Sequence, residues 1–454
     1  MRLLIVVLLT PFFLYSQIQI GDNINGVAEG DRFGASVSIS GDGSIVAIGA
    51  PENENAGTYT GQVQIFENIS GVWTQIGDDI NGAAAGDGFG TSVSISGDGT
   101  IVAIGGRGND TGGNNAGHAR VFENVSGVWT QIGDDINGNT DDLLGEHVSL
   151  SNDGLKLAVS ANGGDFVRVY EYVSGTWSQL GSDIIYDTTP WLFFRDLILS
   201  GDGSTVSVNR VNLEVPNMST QIRLLRLVAE DWIPIGEWLE NEYFVSSSLS
   251  QDGNVMAISS QNNGTEVYEN ISNTWTQMGN TINNDGYGGD IDLSSDGSIL
   301  ALLIRGHISV GQVKIFQYDG TDWIERGSYI GIGGEYSIKT ISLSEDGAFI
   351  VDGTPTHNNP NTGYARVFGL SDILSTEDYP YSHFDLFPNP TTDLFTIQLD
   401  AASELETITV YNTLGQIVHS TSELVVDISN LSSGMYYVEV MTNKGKATKK
   451  LIIQ

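Results

Sequence analysis

The chain has 454 residues, 56 acidic against 19 basic side chains, a formal charge of −37 and no cysteine. Such a surface repels phosphate backbones and anionic bilayers, which excludes nucleic acid and anionic membranes as favoured partners. Without cysteine there is no disulfide and no lipidated N-terminal thiol, so stability must come from packing.

Apolar content of 40% with 56 glycines fits a turn-rich all-β protein of two or three domains. Residues 1–17, MRLLIVVLLTPFFLYSQ, show one basic residue, an apolar run and then small polar residues. This is the layout of a secretory signal peptide over residues 1–16, cleaved before Gln17. The run is short for a membrane span, and no transmembrane segment is expected after cleavage.

From residue 36 the sequence repeats itself. SVSISGDGSIVAIGA (36–50) returns as SVSISGDGTIVAIGG (92–106). The tetrapeptide Ser-x-Asp-Gly starts at Ser40, Ser96, Ser151, Ser200, Ser250, Ser294 and Ser344, 44 to 56 residues apart. Seven residues before the serine stands a large apolar side chain in six copies: Phe33, Phe89, Leu144, Phe193, Tyr243 and Tyr287. Each unit holds four strand-like runs, such as ASVSIS, SIVAIGA, GQVQIFEN and VWTQIG, bounded by Gly, Asp and Asn. The Asp-Gly pair between the first two runs is a tight-hairpin signal.

Four strands per unit at this period predict a β-propeller blade, and seven copies predict seven blades. Six units carry a tryptophan in the outer run (Trp73, Trp129, Trp177, Trp232, Trp275, Trp323), a recurrence that marks packing. The seventh unit stops at Phe368 without one, while IQIGDNING (18–26) matches TQIGDDING at 74–82 and 130–138. The last blade is therefore expected to take its fourth strand from the other end of the chain, which closes the ring and removes open edges.

In such a meander the loops joining strand 2 to strand 3, and strand 4 to the next blade, share one face. Here they are the long ones, including residues 51–61, 78–88 and 105–117, so this face is the expected ligand side. Arg107 and Asp110 lie on its loops and are candidate ligand residues. Trp191 and Trp238 precede the innermost strands of blades 4 and 5. They either form an aromatic platform for a sugar or peptide, or pack an irregular fourth blade. Arg32, Arg107 and Arg210 are sparse cations expected to pair with carboxylates.

GDRFGASVSISGDGSIVAIGAP (30–51) resembles the FG-GAP repeat of integrin-α-like propellers, clearly in the first unit, partially in the second and faintly later. Calcium-binding members carry a loop of several carboxylates between the first two strands. Here that loop has shrunk to SGDGS with Asp42 alone, so neither calcium nor any other metal or cofactor is expected, and Asp42 and its counterparts read as turn residues.

After residue 370 the repeat ends, residues 371–383 read as a linker, and 384–454 form four alternating strand runs, a small β-sandwich. FPNPT (387–391), VYNTLGQ (410–416), SGMYYV (433–438) and the terminal KKLII resemble the type A C-terminal sorting domain of the type IX secretion system. The motif residues are Pro388, Asn389, Pro390, Gly415, Gly434, Lys449 and Lys450. The resemblance implies a Gram-negative bacterium, the type IX machinery as partner, and a passenger that is released or attached to the outer cell surface.

The six histidines show no metal-ligand spacing, and neither a G-x-S-x-G elbow nor a phosphate-binding loop occurs, so no catalytic residue is nominated. The sequence thus predicts an all-β chain: a signal peptide (1–16), a seven-bladed propeller closed by its N-terminal strand (17–370), a linker (371–383) and a sorting domain (384–454). The expected role is non-enzymatic binding or adhesion toward a glycan or surface protein. The alternatives are an extracellular polysaccharide-active hydrolase and a structural surface component.

Overall fold

The Ser-x-Asp-Gly tetrapeptide is a hairpin lock. In the computed structural model of the protein, Asp42 Oδ1 accepts hydrogen bonds from Ser40 Oγ (2.8 Å) and from the Ser44 amide (2.9 Å), while Ser40 Oγ accepts the Ile45 N–H (2.9 Å). The same serine–aspartate bond forms in the other six copies. Burial pushes the Asp42 carboxyl up, but the bonds from Ser44 and Ser40 outweigh it and hold it below the usual range. Gly43 turns at φ 73°, and a Cβ there would strike the Phe349 ring of the neighbouring blade at 2.3 Å, so only glycine fits.

The structure describes residues 18–454 except 186–191, 213–218, 238, 242–243, 261–262, 284–286, 306–310, 331–337, 356–361, 371–383, 400–404, 413–416 and 443–444. The expected signal peptide and linker lie outside the described residues. The chain divides into two compact units, Met1–Leu374 and Ser375–Gln454.

The first unit is seven antiparallel sheets, each starting with one Ser-x-Asp-Gly hairpin. Blade 1 comprises Ser36–Ile39, Ile45–Ala50, Gln62–Ile69 and Val72–Gln75; blade 2, Ser92–Ile95, Ile101–Gly106, His118–Val125 and Val128–Gln131. The innermost strands of blades 3 to 7 are Leu144–Leu150, Leu192–Leu199, Phe244–Leu249, Tyr287–Leu293 and Thr340–Leu343. Blade 7 has three strands of its own, the last being Tyr364–Gly369. The fourth is Ile18–Gln19, with Ile18 opposite Gly369 and Gln19 opposite Phe368. The expected closure is the observed one.

Five blades also hold a short fifth strand, such as Ile80–Asn81, beside the third; the sequence reading took that stretch for loop. The outer strand breaks at Gly77 (φ 72°) and resumes three residues on.

Blades pack through apolar faces, for instance Phe33, Val37, Ile39, Val46 and Ile48 of blade 1 against Val351, Ala365 and Val367 of blade 7. The six repeated tryptophans staple the rim. Trp73 Nε1 donates to the Ile20 carbonyl at 2.8 Å. Trp129, Trp177, Trp232, Trp275 and Trp323 do likewise to Ile76, Ile132, Leu180, Ile235 and Met278 of the preceding blade. Trp73 thereby fastens the borrowed strand to blade 1.

The second unit packs a three-stranded sheet (Phe384–Phe387, Leu394–Leu399, Val425–Asp427) and a four-stranded one (Leu405–Asn412, Ile417–Thr421, Gly434–Thr442, Gly445–Ile453) around Phe395, Ile408, Val438 and Leu451. Seven strands replace the four expected runs. The first run divides at Pro388 and Pro390, which have no N–H to give a ladder. Asn389 ties that break to the terminal strand: its Nδ2 donates to the Lys450 carbonyl and its Oδ1 accepts the Ile452 amide.

Removal of residues 17–25 leaves Tyr364–Gly369 as an open edge and the Trp73 indole without its acceptor. The truncated protein should melt at least about 10 °C lower and self-associate with concentration. Calorimetry with light scattering measures both, and an unchanged melting temperature contradicts the closure.

Candidate functional site

The seven innermost strands surround an axial channel of about 470 Å³. Alternation of side chains puts Val37, Ile39, Val93 and Ile95 into the core and Ser36, Ser38, Ser92 and Ser94 into the channel. These hydroxyls have a task. An innermost strand is the edge of its sheet, and its outward N–H groups lack a ladder partner. Ser38 Oγ accepts the Ile95 N–H of the next blade (3.1 Å), Ser94 that of Leu150, Ser149 that of Leu199 and Ser248 that of Leu293.

Where serine gives way, aspartate takes over. Blade 4 has Ile198 at the latch position, and Asp196 one step up the strand accepts the Ser247 N–H at 2.7 Å. In blade 6, Asp290 and Asp292 accept the Ile341 and Leu343 amides at 3.0 and 2.8 Å. Burial lifts the Asp292 carboxyl to about 6, against bonds from Leu343 and Ser248 that work the other way. Asp196 is also raised, by burial first; His147 opposes the shift and Asp290 adds to it.

At the short-turn end the channel is ringed by backbone bonds. The residue after each Ser-x-Asp-Gly serine, or in blade 4 the second residue after it, gives its N–H to the next turn: Gly41 to Gly97, Gly97 to Asn152, Asn152 to Gly201, Asp202 to Gln251, Gln251 to Ser295, Ser295 to Glu345 and Glu345 back to Gly41, at 2.7 to 3.0 Å. The Glu345 side chain lies over Gly41 and Gly97, where a Cβ would meet it at 2.6 and 2.2 Å.

The other end opens among the long loops, and there a second cavity of about 370 Å³ is lined by Arg32, Glu52, Tyr59, Arg107, Glu146 and Lys339, among others. Arg32 Nη1 pairs with Glu52 (3.0 Å) and Arg107 with both oxygens of Glu146 (3.1 and 2.9 Å). Lys339 donates to the Ala35 carbonyl (3.2 Å), and Arg305, which lines the channel just inside, donates to the Lys339 carbonyl (2.9 Å). Burial, with Arg32 and Arg305 close by, holds the Lys339 ammonium below its usual range. Tyr59 is 52% exposed. The loops are held firmly: buried Asn53 donates to Asp31 (2.7 Å) and buried Asn109 to Asp87 (3.0 Å), tying each long loop to the strand entry beside it.

Of the two nominated ligand residues among the described residues, Arg107 lines this cavity. Asp110 is exposed on the loop, accepts the Asn115 N–H and does not line it. Trp191 and Trp238 lie outside the described residues. Arg32 and Arg107 pair with carboxylates as expected; Arg210 donates to the Gln221 carboxamide. Among the sorting motif residues, Gly415 lies outside the described residues, Asn389 bonds the terminal strand at Lys450, and Lys449 and Lys450 are exposed. Among the described residues no group of three or more His, Asp or Glu side chains is arranged to hold a metal ion. The sequence reading missed Tyr59, Arg305, Lys339 and the channel aspartates.

A model of the FG-GAP repeat matches residues 25–66 and 81–122, and a model of the secretion system C-terminal sorting domain matches 385–454. The chain carries FG-GAP repeats and ends in a type IX secretion sorting domain. It is therefore secreted or attached to the cell surface, handled by that secretion machinery. An ulvan lyase, NLR42, of Nonlabens ulvanivorans is 37% identical over 89 residues, which make up 18% of this chain and only 16% of that protein. Two solved structures share the fold. Kuenenia stuttgartiensis hydrazine synthase has a TM-score of 0.52 at 14% identity, covering 76% of this chain and 97% of that one. The β-propeller domain of Myceliophteria thermophila Cps50 (Swd1) has a TM-score of 0.51 at 10% identity, covering 78% and 98%.

The channel carboxylates make a pH dependence. An unfolded aspartate titrates near about 4, so the native state takes up the Asp292 proton first. This group therefore costs stability as pH rises from about 4 to about 6, and its full cost persists above that. Asp292→Ser installs the latch residue of other blades. Relative to the variant, the native protein should lose on the order of 1–3 kcal/mol between pH 4 and pH 7. Denaturant unfolding at the two pH values measures this, and a pH-independent difference refutes it.

Proposed function

We propose that the protein is an exported binding module, acting in adhesion or retention at the cell surface, whose long-loop face docks a glycan. The observation that carries this is the cavity at the channel mouth, where exposed Tyr59 stands beside Arg32, Arg107, Glu52 and Glu146. Sugars present apolar C–H faces that stack on an aromatic ring, and hydroxyls that pair with carboxylates and guanidinium groups. The scaffold beneath is stiff, because every innermost strand from blade 1 to blade 6 is latched to the next, and a preformed site loses little entropy on binding.

A second reading, cleavage of a polysaccharide, draws on the partial likeness to the ulvan lyase. The two readings part on turnover. Incubation of the purified protein with candidate polysaccharides should release no oligosaccharide, and release that is lost on mutating Glu52 or Glu146 would replace binding with catalysis.

Tyr59 adopts φ 51°, so Tyr59→Asn removes the ring with a residue that tolerates this backbone. On a glycan array, affinity should fall about tenfold, the worth of one stacking contact, with the melting temperature unchanged. Unaltered binding by this variant contradicts the mouth as the site.

A further inference from the structure

We propose that the group received at the channel mouth is an oxyanion, the carboxylate or sulfate ester of an acidic polysaccharide, seated between Arg32, Arg305 and Lys339. The proposal rests on the glycan reading above and adds the chemistry of the ligand.

In a chain with only 19 basic residues, four of them, Arg32, Arg107, Arg305 and Lys339, come to one mouth from blades 1, 2, 6 and 7, which are consecutive around the ring. Two are engaged by Glu52 and Glu146. Among the described residues, neither Arg305 nor Lys339 has a carboxylate within salt-bridge distance; each donates to a backbone carbonyl. The Arg32 Nε–H is buried without an acceptor, so that guanidinium is not saturated either. Asp290 and Glu146 attract Lys339 from within the channel, but Arg32 and Arg305 act against its charge more strongly. Arg32 and Arg305 repel the Lys339 ammonium, which no carboxylate contacts among the described residues, and an entering anion relieves that repulsion.

The position of Arg32 is informative. It holds φ 57°, and the matching residue of blade 2 is Gly88 at φ 59°. The turn therefore accepts glycine, and Arg32→Gly removes the cation without disturbing the fold. Lys339 lies just before the strand Thr340–Leu343, and methionine keeps most of the length of its stem without the charge, so Lys339→Met is equally mild.

Titration calorimetry of the full mature chain, with a chelator present to exclude metal bridging, tests the idea with three polymers: polygalacturonate, dextran sulfate and neutral dextran. One or both acidic polymers should bind and dextran should not. Preference between the two tells carboxylate from sulfate. The Arg32→Gly/Lys339→Met double variant should lose at least about tenfold in affinity, since charge-assisted bonds are the stronger kind. In parallel, inorganic sulfate should raise the melting temperature of the native protein and not of the double variant. Equal binding of dextran, or acidic binding abolished by Tyr59→Asn but untouched in the double variant, keeps the glycan reading and overturns the anion. Stabilisation by sulfate with no polymer bound keeps the anion site and overturns the glycan. No response to sulfate and no acidic polymer bound overturns the proposal.

Discussion

The propeller depends on how the edge of each innermost strand is satisfied. A four-stranded blade buries both faces against its neighbours, but its inner edge projects N–H groups toward the axis, where no fifth strand can reach. At each of the six junctions from blade 1 to blade 7 a channel-facing hydroxyl or carboxylate meets that need, and each such bond also fixes the register between blades. Individually these bonds are modest. Around a ring they act together, because shifting one blade strains its contacts on both sides. The second ring, formed by backbone bonds between successive turns, closes on itself at Glu345 and Gly41 and surrounds the short-turn end of the channel.

This latch explains features that composition alone leaves puzzling. Seryl residues are indifferent strand formers, yet they recur at alternate positions of the innermost strands, because a short hydroxyl reaches the neighbouring backbone without crowding the axis. The acidic bias has a similar root. Each turn aspartate is spent on a serine hydroxyl and nearby amides, and three more carboxylates replace serine in the latch. Part of the negative charge is thus structural acceptor capacity rather than a signal to a partner.

What could be read from the sequence follows from what is local. The Ser-x-Asp-Gly period, the tryptophan column and the missing seventh outer strand are each carried by one unit or one chain end, so counting them gave the ring and its closure. The FPNPT segment was legible as a motif, but its consequence was not, because Asn389 acts on residues about sixty positions away. The mouth was hidden for the same reason: Lys339 reaches the Ala35 carbonyl across 304 residues of sequence, and only ring closure puts blade 7 beside blade 1. The channel aspartates had a readable sign. YGGDIDLS in the sixth unit sets Asp290 and Asp292 where the first unit has Ser36 and Ser38. Loop position alone misled at Asp110, whose side chain caps its own loop instead of facing the cavity.

Ring closure also explains why the proposed site falls where it does. Blades 1 and 2 keep the FG-GAP pattern most fully, and their long loops are tied by the Asp31–Asn53 and Asp87–Asn109 pairs. Those pairs hold Tyr59, Arg32 and Arg107 on an ordered surface. The cations opposite, Arg305 and Lys339, come from blades 6 and 7, which would be remote if the first strand did not complete the last blade. The segment that seals the fold therefore also assembles the mouth: Ile18–Gln19 pairs with the last strand of blade 7 while Ile20 accepts the Trp73 indole of blade 1. Architecture and proposed site share one joint, so damage to the closure should act on the proposed binding as strongly as on stability.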